Sequence, residues 1–113
     1  MNSDCNCFTL KECMSRNQYS IGTDETDGRF ADVSIWECTN CNTLWLHYFL
    51  EYHWHRNSGR WFRGLITAEV VQTIKADEAI DYFNSLDWYF RGGGFFETKG
   101  EKREKSIKSY DLM

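Results

Sequence analysis

Two close cysteine pairs constrain this chain more than any other feature. Cys5-Asn6-Cys7 is a C-x-C and Cys38-Thr39-Asn40-Cys41 a C-x-x-C, with thirty residues between Cys7 and Cys38. Thiolates are metal ligands, and two pairs can supply four of them to one tetrahedral ion. A two-residue spacer lets the backbone curl so that both sulfurs point inward with amide N–H groups turned toward them. Asn40 and Asn42 suit such a turn, because asparagine tolerates the left-handed backbone conformation. The fifth cysteine, Cys13, makes the count odd. With no readable export signal, an odd count argues against a closed disulfide framework.

The expected set is therefore a structural zinc held by Cys5, Cys7, Cys38 and Cys41. In a variant of that set, Cys13 or a histidine replaces one N-terminal ligand. Two other readings use the same residues: unligated thiols, and a thioredoxin-like redox pair. The redox pair fits poorly, because there the C-x-x-C opens a helix, whereas here Ser34-Ile35-Trp36-Glu37 precedes it and a long strand pattern follows. The Cys38–Cys41 turn with its flanking strands resembles zinc ribbons and zinc knuckles in general. The resemblance covers that turn alone, since the first pair is C-x-C.

The rest of the chain predicts an α+β domain over residues 1–98 and a charged, disordered tail over 99–113. Strands are expected at 32–37, 43–55 and 60–67, with a hairpin turn at Asn57-Ser58-Gly59. Along the long strand the even positions Leu44, Leu46, Tyr48, Leu50, Tyr52 and Trp54 are apolar throughout. The odd positions from Thr43 to His55 are mixed, so that face is expected to meet solvent or a partner. A helical layer should cover the even face. Thr67 can cap a helix start, and Ala79, Ile80, Phe83 and Leu86 recur at helical spacing. Trp88–Phe90 and Phe95-Phe96 read as a terminal hairpin. The expectation is an antiparallel meander of three to five strands under one helical layer, with the N-terminal loop stapled to it by the cysteine site. Residues 1–20 show weak periodicity, and 22–29 read as a polar acidic loop that lacks EF-hand spacing.

No apolar run reaches the ~20 residues of a membrane span, and the expected compartment is the cytosol. The net charge of −4 is uneven: eight Lys and Arg stand against fourteen Asp and Glu through Thr98, and five against three from Lys99 onward. An acidic body disfavours a phosphate backbone and suits a basic partner. Aromatic residues make up 17% of the chain, with five Trp, six Tyr and eight Phe. That is more ring than one core of this size should hide, and surplus rings make good interface anchors.

The expected function is thus a non-catalytic binding protein that docks a basic protein partner through Trp45, Phe49, Asp24, Glu25 and Asp27. In size and charge the chain resembles bacterial immunity proteins, small acidic domains that neutralise nuclease toxins; the resemblance implies inhibition by charge complementarity. A second expectation is a nucleic-acid-binding zinc ribbon using Arg56, Arg60, Trp61 and Arg63, whose rings can stack on bases while arginine neutralises phosphate. A third is metal-dependent hydrolysis through His53 and His55, which point to the same side of a strand; a wetted strand face is the preferred explanation of that pair. An exposed aromatic patch would also suit a homodimer. Gly92-Gly93-Gly94 lacks the Lys-Ser/Thr that a phosphate loop requires.

Overall fold

Along β3 (Leu44–Leu50) the side chains sort by parity, and that sorting organises the whole molecule. The structure, a computed structural model, describes residues 5–8, 16–50, 59–93 and 100–108. Leu46, Tyr48 and Leu50 join Val33 and Ile35 of β2 (Ala31–Cys38) and Phe62 of β4 (Arg60–Leu65) in a buried core under the helices. Trp45 points the other way, into a second buried cluster with Trp36, Cys38 and Phe90. The even face is covered as expected at Leu46, Tyr48 and Leu50; the expected strand's residues 51–55, Tyr52 and Trp54 among them, lie outside the described residues. The odd face, expected to meet solvent or a partner, is covered at Trp45 and exposed at Phe49, and the buried rings fill two cores, one on each side of the sheet.

Three further strands, β1 (Arg16–Asp24), β5 (Tyr89–Gly93) and β6 (Glu101–Arg103), complete an antiparallel sheet. Its strand order is the chain order, β1-β2-β3-β4-β5-β6. The meander is as anticipated, but among the described residues it has six strands rather than three to five. Both additional strands are edges. β1 is polar and exposed over Asn17–Ser20, and its register slips between Ser20 and Gly22, where Gly22 takes a φ of 129°. β6 is three charged residues, and beyond it Ile107 is buried in the helical core. Asn84 ties that residue down, accepting from the Ile107 amide at 2.6 Å. Residues 101–108, expected within a disordered tail, therefore take part in the fold. The partner of β5 is β6; Phe95 and Phe96, and the expected hairpin turn's Asn57 and Ser58, lie outside the described residues.

The helical layer begins where expected. The Thr67 hydroxyl accepts from the Val70 amide at 3.3 Å and caps α1 (Ala68–Val71). A 3-10 turn at Ala76–Glu78 then leads into α2 (Ala79–Ser85), whose Ala79 and Phe83 are fully buried. Helix and sheet approach closely at Gly64. A Cβ there would lie 2.6 Å from Leu86 Cδ1 and 3.0 Å from the Phe83 ring.

At the β1–β2 turn, Asp24 is buried rather than solvated. It accepts from Tyr48 Oη at 2.6 Å and from Arg29 at 3.1 Å, and the Thr26 amide reaches its other oxygen at 3.0 Å. Burial alone would raise its pKa; hydrogen bonds from Thr26, Tyr48 and Arg29 outweigh that and leave it below the usual carboxylate value. Among the described residues, no helix is long and apolar enough to cross a membrane.

Candidate metal centre

The connection between β2 and β3 folds tightly because Asn42 accepts a left-handed conformation, with φ 63°. Its amide donates to the Cys38 carbonyl at 2.7 Å, and the Cys38 amide donates to the Thr43 carbonyl at 2.9 Å. These bonds bring Cys38 and Cys41 to one side of the turn. The second expected asparagine acts differently: Asn40 Nδ2 donates to Cys5 Sγ at 3.2 Å. On the N-terminal side a single 3-10 turn, Asn6–Phe8, closed by the Phe8 amide on the Cys5 carbonyl at 3.0 Å, presents Cys5 and Cys7. Phe8 anchors this loop on the sheet, with its ring edge-on to Trp45 at a centroid separation of 5.2 Å.

All four sulfurs lie within 4.8 Å of one another, an arrangement that can hold a metal ion. Cys5 and Cys38 are 3.6 Å apart and Cys7 and Cys41 3.4 Å. A disulfide would need ~2.05 Å, and none of the four cysteines is in one. A tetrahedron with ~2.3 Å metal–sulfur bonds has edges of ~3.8 Å, close to the separations found. Cys7 and Cys38 are fully buried, Cys5 nearly so, and Cys41 half-buried.

The polar groups around Cys5 suit a thiolate. The Cys7 amide and then Asn40 hold the Cys5 thiol down to about 6, against the opposing effect of burial. Burial pushes the Cys7 thiol up, opposed by the nearby Trp45 indole. That indole N–H is buried without a completed hydrogen bond, so a thiolate at Cys7 would give it an acceptor. Thr43 Oγ1 lies 3.1 Å from Cys41 Sγ.

Behind the cysteines stands Arg63, 2% exposed, which donates to the Cys7 carbonyl at 3.3 Å. Next to it, His47 is sandwiched between Trp36, at 4.1 Å, and Trp61, at 6.4 Å. Burial, with the charges of Arg63 and Arg16, pushes its pKa down to about 3, so the ring is neutral at ordinary pH.

The structure brings together all four cysteines chosen from the sequence. The other site expectations fare differently. Trp45 and Asp24, expected on a partner-facing surface, are fully buried. Trp45 is covered because the cysteine loop sits on it, and Asp24 because Tyr48 and Arg29 enclose it. Phe49, Glu25 and Asp27 are exposed, as is Phe30, which the sequence reading passed over. Of the expected nucleic-acid set, Arg63 is an interior residue, and Arg60 and Trp61 are half-buried. Arg56, Cys13, His53 and His55 lie outside the described residues. Arg63 was open to recognition: it shares strand parity with Trp61 and Leu65, both members of the second cluster. No family model, curated protein or solved structure matches the chain.

Proposed function

We propose that this chain is a non-catalytic binding protein, stapled by one structural zinc ion, that docks a basic protein partner; an immunity-type inhibitor of a toxin is the form of that role its size and charge suit. The observation that carries the non-catalytic reading is the ligand count. Four sulfurs saturate a tetrahedral ion and leave no position for water or substrate, which is how structural rather than catalytic zinc is held. An all-sulfur tetrahedron suits zinc, with iron as the competing occupant. Metal analysis separates them, with about one zinc per chain expected from the ligand count and the colour of iron–thiolate absent.

Charge and exposure support the partner. Glu25 and Asp27 of the β1–β2 turn and Asp77, Glu78 and Asp81 near the start of α2 are all exposed. Glu25 and Asp77 line one shallow groove of about 420 Å³ together with Thr23 and Lys75. Phe30, 62% exposed, stands beside the same turn and supplies an apolar anchor. The reading predicts binding to a basic protein that weakens as salt is raised and weakens again in a Glu25→Lys, Asp77→Lys variant. Retention on single-stranded nucleic acid, with the basic protein ignored, is the outcome that refutes it.

A further inference from the structure

A four-thiolate centre that holds a divalent ion carries a net charge of −2. Here that charge would sit against the sheet, with two of its sulfurs fully buried and a third nearly so. Buried charge is costly unless opposite charge and hydrogen bonds answer it. The face of the sheet under the loop provides both. Arg63 rises from β4 into the space between sheet and loop, and its guanidinium stays protonated at any working pH. Its carbon lies 4.9 Å from the Trp45 ring centre, 5.2 Å from Phe90, 5.6 Å from Trp36 and 5.8 Å from Trp61. One of its terminal nitrogens is bonded to the carbonyl of Cys7, itself one of the four sulfur residues. Arg16, opposite Cys38 in the β1–β2 register, adds a second cation, 3.8 Å above the outer ring, Trp36.

We infer that Arg63 is the internal counter-charge of the cysteine centre: boxed by four rings and fixed to the Cys7 carbonyl, it stabilises the metal-bound tetrathiolate and sets how tightly the ion is held. The inference rests on the metal reading above. It makes Arg63 a positioning residue, acting on the ion through the ligands. The four rings give this role its specificity. They surround the cation within about 6 Å, leave one of its N–H groups to the Cys7 carbonyl, and exclude the water that would screen it.

The test uses the full chain with zinc as the probe. Wild type, Arg63→Met and Arg63→Lys are compared by competition against a chromophoric chelator over a pH series. Gly64→Ala, on the helical face, serves as the control for stability lost without loss of charge. Arg63→Met should weaken zinc binding by about tenfold or more, beyond the control at matched thermal stability, and raise the pH at which half the zinc is released. Arg63→Lys should recover part of both effects. Cobalt(II) in place of zinc adds a signature that a merely structural role would not move. Its sulfur-to-metal charge-transfer band should shift to lower energy in Arg63→Met, because removing a nearby cation raises the sulfur lone pairs.

A folded Arg63→Met with wild-type affinity and band position overturns the inference. Should that variant fail to fold, Arg63→Lys is compared with the neutral Arg63→Gln: a band and release pH closer to wild type in Arg63→Lys support a role through charge, and equal displacement in the two variants overturns it. A wild-type chain that takes up no metal refutes the metal reading itself, an outcome distinct from a loaded wild type indifferent to Arg63.

Discussion

Removing the proposed zinc should undo far more than a four-residue loop. The loop carries Cys5, Cys7 and Phe8, and beneath it lie Trp45, Trp36 and Phe90, exposed by 0%, 4% and 4%. Each ring buries ~150–250 Å². Undocking the loop and baring roughly half of each exposes on the order of 300 Å² of apolar surface. At ~25 cal/mol per Å² that costs ~7 kcal/mol, within the ~5–15 kcal/mol that typically separates a folded domain from its unfolded chain. It would also wet Arg63 and free the Cys7 carbonyl. The assay is urea unfolding followed by tryptophan fluorescence, for wild type with and without a strong chelator and for the Cys38→Ser, Cys41→Ser variant. Chelated wild type and the double variant should coincide, with most of the stability gone and a red-shifted emission from Trp45 and Trp36. A chelated protein with an unchanged midpoint and unchanged emission would falsify the reasoning, because the second core would then be standing without its clamp.

The remaining predictions concern the sheet and its turns. In Gly92→Ala the new methyl would fall 2.3 Å from Trp61 Nε1, so the ring must swing off the strand; a loss of ~1–3 kcal/mol by thermal denaturation is expected, with altered near-ultraviolet dichroism. Gly64→Ala should cost a similar ~1–3 kcal/mol by pushing α2 away from β4, readable in the same melts. Asp24→Asn removes the charge facing Arg29, whose side chain is 11% exposed, and should destabilise by ~3 kcal/mol at neutral pH. Because the Asp24 pKa is depressed on folding, its stabilisation is complete above the unfolded carboxylate value near ~4 and fades as pH falls through the lower folded value. Melts of wild type and Asp24→Asn should therefore converge at acid pH, and a gap that stays constant would refute the assignment.

The parity of β3 was plain in the sequence because Leu44, Leu46, Tyr48 and Leu50 need no context to be recognised as a core face. The Thr67 cap, the left-handed Asn42 and the sulfur quartet were legible for the same reason: each is local chemistry. The edges were not. β1 reads as Arg-Asn-Gln-Tyr-Ser-Ile-Gly-Thr-Asp, which has no clean alternation because an edge strand with a bulge buries little on either face. β6 hides behind its charges, the residues that keep an edge from pairing with a neighbouring molecule. The second core was illegible for a different reason. Trp36, Trp45, Arg63 and Phe90 come from four strands, and only the docked cysteine loop turns that face from wet to dry. Without it, Trp45 reads as an anchor for a partner and Arg63 as a phosphate contact.

Strand order that copies chain order has a kinetic consequence. The β1–β2 and β2–β3 ladders can zip from adjoining turns, whereas β4 and β5 meet only after the helical segment between them is spanned. The sulfur quartet, joining positions 33 and 34 residues apart, is a distant encounter of the same order as the β4–β5 ladder, which pairs Arg60 with Gly93. Closing a loop of that length carries an entropic toll that hairpins avoid. An ion bound by the four sulfurs would clamp a sheet whose first three strands can already pair through adjoining turns, a latch on that platform and not its seed.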